Sequence, residues 1–255
     1  MFDRMVPLSV ERHGKKRVRQ AMGFGYAAGF HIAYVTMHEF ARAEALYPVL
    51  FLQDGEPGRF RPVVLMGLEA GENLFVGPEG RWSGSYIPAM IRRYPFALSR
   101  GDREGRYVVC VDEGSDLLSE QEGNSMFDED GKPTELIENV KRYLSELQQM
   151  DHATREFVDY LSSNDLLTPL SMRIASGDRT RNVTGCFVVN EEKLNAFDDA
   201  TFLELRRRRY LPAIYAHLMS LPQIERLVQM RKDKDARQAQ QDAGKTSRSR
   251  ARHGK

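Results

Sequence analysis

Residues 80–98, GRWSGSYIPAMIRRYPFAL, gather the chain's only tryptophan, two tyrosines and an arginine pair. Trp82, Tyr86, Arg92 and Arg93 follow a glycine-punctuated loop, with Glu72 and Asn73 nearby in sequence. Aromatic rings beside guanidinium groups are the composition of a pocket for an acidic or planar ligand. Folding alone also explains much of the stretch. Ile87, Met90, Ile91 and Tyr94 fall at helical spacing on one face. Ser85 is placed to cap the helix, Pro88 lies in its first turn, and Pro95 ends it. At 100° per residue Arg92 and Arg93 point away from the apolar face, in the last turn where cations suit the helix dipole.

Other reactive constellations are incomplete. GFGYAAG (23–29) lacks the preceding strand and following helix of a dinucleotide loop, and reads as a turn. His31, His38 and Glu39 supply no third ligand at a metal-site spacing, and HEFAR is not H-E-x-x-H. An EF-hand register on Gly131 puts Met126 and Ile137 where carboxylates belong, so DEDGKP (128–133) reads as a turn. Ser83 in GRWSG is one residue out of step with G-x-S-x-G. The sequence therefore predicts no cofactor, no metal and no catalytic residue.

The elements that position these residues follow from periodicity. FHIAYVT (30–36), PVLFLQD (48–54), RPVVLMGL (61–68), RYVVCVDE (106–113) and VTGCFVVN (183–190) read as strands, and DGEPG as the turn of a hairpin. HEFARAEAL (38–46) reads as a short helix, and RIASGDRTRN (173–182) as a polar loop. From Thr134, the natural N-cap, a stripe through Leu136, Val140, Leu144 and Leu147 to Leu161 predicts one long helix or two stacked ones. Asp198 and Pro212 open further helices, and Ser220-Leu-Pro-Gln223 reads as a capping box. The fold class is α+β: a small, mostly antiparallel sheet over 48–113 with a short packed helix, then a helix-rich half over 134–230. Residues 1–230 form one domain, and 231–255 a basic disordered tail.

Net charge is +1, but Arg231–Lys255 carries nine Lys or Arg against three Asp, leaving the remainder at −5. The tail holds no aromatic residue to stack on bases, which argues against specific nucleic-acid binding. Arg206–Arg209 are consecutive, so they spread around their helix instead of forming a one-sided patch. Cys110 and Cys186 sit in apolar runs, as buried strand residues do. The N-terminus lacks the apolar core of a secretory signal, and no stretch has the ~18 apolar residues of a membrane span. The expectation is a cytoplasmic protein, with the cell surface open to it through non-classical export.

Several segments together resemble the SapC family of bacterial proteins: MVPLSVERHGKKRV, HEFARAEALYPVLF, GLEAGENLFVGPEGRWSGSYIPAMIRRYPFAL, MFDEDGKP, CFVVNEEKLNAF and YAHLMSLPQIERLV. Their order matches, and they cover nearly the whole chain to about residue 230. The GENLFV…GRW…YIPA…RRYPF run is the most specific part. The Arg206–Arg209 run and the basic tail depart from the pattern. The resemblance implies a non-enzymatic protein associated with the bacterial surface layer, as component or accessory, that binds another protein. It carries no catalytic residues. The alternative is a small-molecule-binding protein or enzyme built around Trp82, Tyr86, Arg92 and Arg93.

Overall fold

The computed structural model describes residues 2–101, 107–176 and 179–252, the side chains of 172–184 and 241–252 excepted. The chain opens with β1 (Met5–Pro7), α1 (Val10–His13), β2 (Arg17–Val18) and β3 (Ile32–Tyr34). A single turn, α2 (Phe40–Ala43), leads into the hairpin β4 (Val49–Gln53) and β5 (Phe60–Leu65). Then follow α3 (Ala89–Arg92), β6 (Phe96–Arg100), β7 (Tyr107–Asp112), β8 (Leu118–Ser119) and β9 (Asn124–Ser125). The long helix α4 (Glu135–Ser163) precedes the hairpin β10 (Leu167–Ser176) and β11 (Arg179–Val189). Four helices close the chain: α5 (Glu191–Asn195), α6 (Asp199–Arg207), α7 (Leu211–Ser220) and α8 (Gln223–Arg252).

The α+β class is as expected, and every described strand pairing is antiparallel. The strands divide differently, however. β4 and β5 belong to a five-stranded sheet of order β10-β11-β4-β5-β3, whereas β7 pairs with β1 and β6 in a second sheet. Residues 48–113 therefore do not form one sheet. β10 and β11 replace part of the expected polar loop at 173–182. The polar sequence of 173–182 carries no apolar alternation to signal a strand, and β10 is an edge strand of its sheet.

Helix α4 joins the two sheets. Its Ile137 and Leu144 enter a core with Phe96, Val111 and Met126, while Phe157, Val158 and Leu161 enter the larger core with Phe40 and Phe51. One amphipathic helix thus buries its stripe against both layers, and its expected periodicity is borne out. Thr134 sits at the cap, but its hydroxyl donates back to the Ser125 carbonyl at 2.7 Å and makes no cap bond. Asp198 does cap α6, accepting from the Thr201 N–H at 2.7 Å.

Two local expectations are corrected. Ser220 is no capping-box residue: its Oγ accepts from the Val49 N–H at 2.9 Å and donates to the His217 carbonyl at 2.6 Å. Residues past Met230, expected to be disordered, continue α8 to Arg252. Ala, Gln, Lys and Arg are good helix formers there, and Gln229–Asp233 and Arg231–Asp235 are stabilising i,i+4 pairs.

The glycine-rich stretch proves to be a site of close backbone approach. Phe24 donates its N–H to the Gly80 carbonyl at 2.7 Å. A Cβ at Gly23 would come within 2.8 Å of the Glu79 carbonyl, and one at Gly80 within 2.7 Å of the Gly25 nitrogen. Gly80 also has a positive φ of 74°. Glycine is needed to dock two loops, as a cradle for phosphate is not.

Candidate functional site

The 80–98 stretch is held by a buried carboxylate. Glu39 Oε1 accepts from the Tyr86 hydroxyl at 2.6 Å and the Ala89 N–H at 2.8 Å. Its Oε2 accepts from the Thr36 N–H at 2.8 Å and the Thr36 hydroxyl at 3.0 Å. One carboxylate thereby closes a capping box on its own turn and caps α3, some fifty residues away in sequence. Burial, with Glu39 beside it, pushes the Tyr86 phenol well above the ordinary tyrosine range. Tyr86 is therefore a neutral hydrogen-bond donor and no acid–base group near neutral pH.

Trp82 belongs to an aromatic cluster. Its ring lies 6.2 Å from Phe75, nearly parallel, and 5.6 Å edge-on from Phe24. Its Nε1–H donates to the Tyr47 hydroxyl at 3.0 Å, and that hydroxyl donates in turn to the Tyr86 carbonyl. Asn73 is buried and supports the same region. Its Nδ2 donates to the Ala27 carbonyl at 3.0 Å, and its Oδ1 accepts from the Phe75 N–H at 2.9 Å.

The two arginines part company. Arg92 is exposed, donates from Nε to the Ile87 carbonyl at 2.9 Å, and lies over the Tyr86 and Tyr143 rings at 5.8 and 5.6 Å. It edges a cleft of about 210 Å³ with His38, Arg42 and Tyr143. Arg93 is half-buried and lines a different cleft, contrary to the expected outward pair. Arg93 is the C-cap of the one-turn helix α3, about 100° round from Arg92, and so turns away from Arg92's side. Glu72 lies elsewhere again: its Oε1 accepts from Arg231 at 2.9 Å and Lys234 at 3.1 Å on α8. The six candidate residues thus fall into separate settings. Trp82, Tyr86 and Asn73 share one packed region, Arg92 borders it, and Arg93 and Glu72 face other parts of the surface. Among the described residues, no three His, Cys, Asp or Glu side chains gather to hold a metal.

A family model described as SapC matches residues 8–227, most of the chain. The chain belongs to the SapC family. No curated protein matches it, and no solved structure does. The span matched by the SapC model ends on Leu227, which is fully buried in the larger core. The α8 extension that carries Arg231 and Lys234 thus lies beyond the SapC match.

Within this SapC-family fold, sequence reasoning missed Glu39, Tyr47 and Tyr143 as partners of the 80–98 stretch. HEFAR did mark Glu39 as a charged residue at a helix start, but nothing local shows that Tyr86 and Ala89 reach it. The surroundings of Trp82 predict a stability role. Trp82→Ala is expected to lower unfolding free energy by about 3 kcal/mol, and Trp82→Phe by about 1 kcal/mol through loss of the Nε1–H bond. Urea denaturation followed by circular dichroism measures both. If Trp82→Ala changed stability by less than ~0.5 kcal/mol, the packing role would be wrong.

Proposed function

We propose that this chain is a non-enzymatic SapC-family protein, associated with the bacterial surface layer as component or accessory, that acts by binding another protein. One observation carries the binding part. Helix α7 buries Ile214 and His217 completely on one side, yet on the other leaves Tyr215 at 43% and Met219 at 70% exposure. Those residues are four apart and lie on one helical stripe with exposed Pro212. Tyr and Met are enriched at protein interfaces, where a large adaptable side chain gains most from a partner's surface. The surface-layer part of the reading is supported by what the resemblance to the SapC family implies. No described helix is long and apolar enough to cross a membrane, so association through a protein contact suits the fold.

The test is recovery of the tagged chain from fractionated cells of its source bacterium. Co-purification with the main surface-layer protein is expected from the wild type. The double substitution Tyr215→Asp, Met219→Asp should abolish it without shifting the thermal midpoint, because both side chains are solvent-facing. A wild-type chain recovered with no layer protein would sink the surface-layer reading. A double variant that still co-purified would remove α7 as the contact.

A further inference from the structure

A cleft of about 310 Å³ lies at the seam between the two sheets, under α4. Its floor and walls include Met90, Leu98, Leu144 and Leu147, with Tyr107 at the rim. Its charge is one-sided: Arg61, Arg93, Arg100 and Arg155 line it against a single carboxylate, Asp151. That carboxylate is already engaged, for Asp151 Oδ1 accepts from the Tyr34 hydroxyl at 2.6 Å and Oδ2 from Arg155. Arg61 is engaged as well, by Asp54 at 2.6 Å, and its guanidinium sits 5.6 Å from the centre of the Tyr34 ring.

Among the described residues Arg93 and Arg100 have no such partner. The Arg93 Nε is buried with no protein acceptor. Among the described residues its guanidinium contacts the Phe2 ring, at 5.3 Å, and forms no ion pair. Burial lowers its affinity for the proton and outweighs the opposing pull of Tyr143 and of Asp151, which does not hydrogen-bond it. Arg100 likewise forms no ion pair with any described residue. A guanidinium withdrawn from water without a hydrogen-bonded carboxylate is costly to the fold, and an anion relieves that cost. Its rigid fork of donors suits a planar carboxylate or a phosphate, two oxygens at a time. The apolar walls suit a body attached to that anion, and the volume lies at the small end of the range for small-molecule sites.

We propose that this cleft binds a small organic anion, its carboxylate or phosphate held by Arg93 and Arg100 and its apolar body against Met90, Leu98 and Leu144. The site is separate from the α7 face and stands or falls independently of it. The surrounding groups explain why Arg93 and Arg100 do the holding. Arg61 and Arg155 are neutralised by Asp54 and Asp151, and they contribute the walls and the long-range positive field.

The probes are benzoate, phenyl phosphate and inorganic phosphate, titrated into the full chain by calorimetry and by two-dimensional NMR. Saturable binding of at least one aryl probe, tighter than inorganic phosphate, is expected. Arg93→Gln should weaken it by about tenfold or more, and Arg93→Lys by less, since lysine keeps the charge and loses the fork. Arg206→Gln, on the exposed end of α6, should change nothing. Should Arg93→Gln fail to fold, Arg100→Gln at the exposed end of β6 carries the same expectation. Three outcomes overturn the proposal: no saturable binding of either aryl probe up to ~10 mM, inorganic phosphate binding as tightly as the aryl probes, or unchanged affinity in both arginine variants.

Discussion

Glu39→Ala is expected to destabilise the protein by about 4 kcal/mol, one of the largest single-site losses in the molecule. The substitution strands four donors at once: the Thr36 N–H and hydroxyl, the Tyr86 hydroxyl and the Ala89 N–H. Both hydroxyls can turn to other acceptors, but the two backbone N–H groups cannot. Glu39→Gln keeps the shape and tests this distinction. Its amide can offer only one oxygen, so its nitrogen must face either the Thr36 N–H or the Ala89 N–H. A loss of about 2 kcal/mol is expected. Tyr86→Phe removes a single charge-assisted bond and should cost about 2 kcal/mol as well. The losses of Glu39→Ala and Tyr86→Phe should not add, because the first already removes the acceptor that the second deprives. A double-mutant cycle in urea measures the coupling. Additive losses would mean that Tyr86 and Glu39 do not share the bond. A Glu39→Ala loss below ~1 kcal/mol would mean that the carboxylate does not hold the stretch.

Such long-range bonds mark the boundary of what the sequence disclosed. The β4–β5 hairpin was legible because DGEPG sits between two apolar runs, and α4 because its stripe repeats through seven turns. Asp198 was legible because an N-cap acts on its own first turn. The SapC membership was legible because several segments, the 67–98 run above all, resemble that family in the same order. The partition into separate sheets was not, since β1 meets β7 across a hundred residues and a strand's own pattern does not name its neighbour. The candidate site fared likewise. Trp82, Tyr86, Arg92 and Arg93 are close in sequence, and proximity in sequence suggested a shared pocket. A one-turn helix rotates successive side chains by 100°, which was enough to send Arg92 and Arg93 to different clefts. The arginines that join Arg93 come from β5, β6 and α4, and only the fold brings them together.

His217 should make stability fall as pH drops from 6.5 towards 4. The ladder between β4 and β11 holds only the pairs Cys186–Leu52 and Phe187–Phe51. Beyond them His217 inserts between the strands: its Nε2 accepts from the Val189 N–H at 3.0 Å, and its Nδ1 lies 2.7 Å from the Val49 carbonyl. An acceptor at Nε2 requires the proton on Nδ1, which then donates to Val49, so the neutral tautomer satisfies both strands. A second proton on Nε2 would point at the Val189 N–H. Burial adds to this, pushing the imidazole down from its ordinary 6.5 to about 4. The unfolded chain therefore takes up a proton below pH 6.5 that the folded chain refuses until about pH 4. The stability due to His217 is complete above pH 6.5 and is lost through that window, by about 3 kcal/mol at its lower end. Asp112 acts in a lower window. Its burial is outweighed by N–H donors from Arg4, Asp3 and Gly114, so its carboxyl sits below 3.8 and loses its contribution only under strongly acid conditions. Urea midpoints taken at half-unit steps from pH 7.5 to 4.5 separate the two. His217→Gln can keep one donor and one acceptor at the seam without titrating. It should cost about 2 kcal/mol at pH 7.5 and flatten the profile. A wild-type profile no steeper than that of His217→Gln would place the proton elsewhere and leave His217 as packing against Phe51, whose ring centre lies 5.0 Å away.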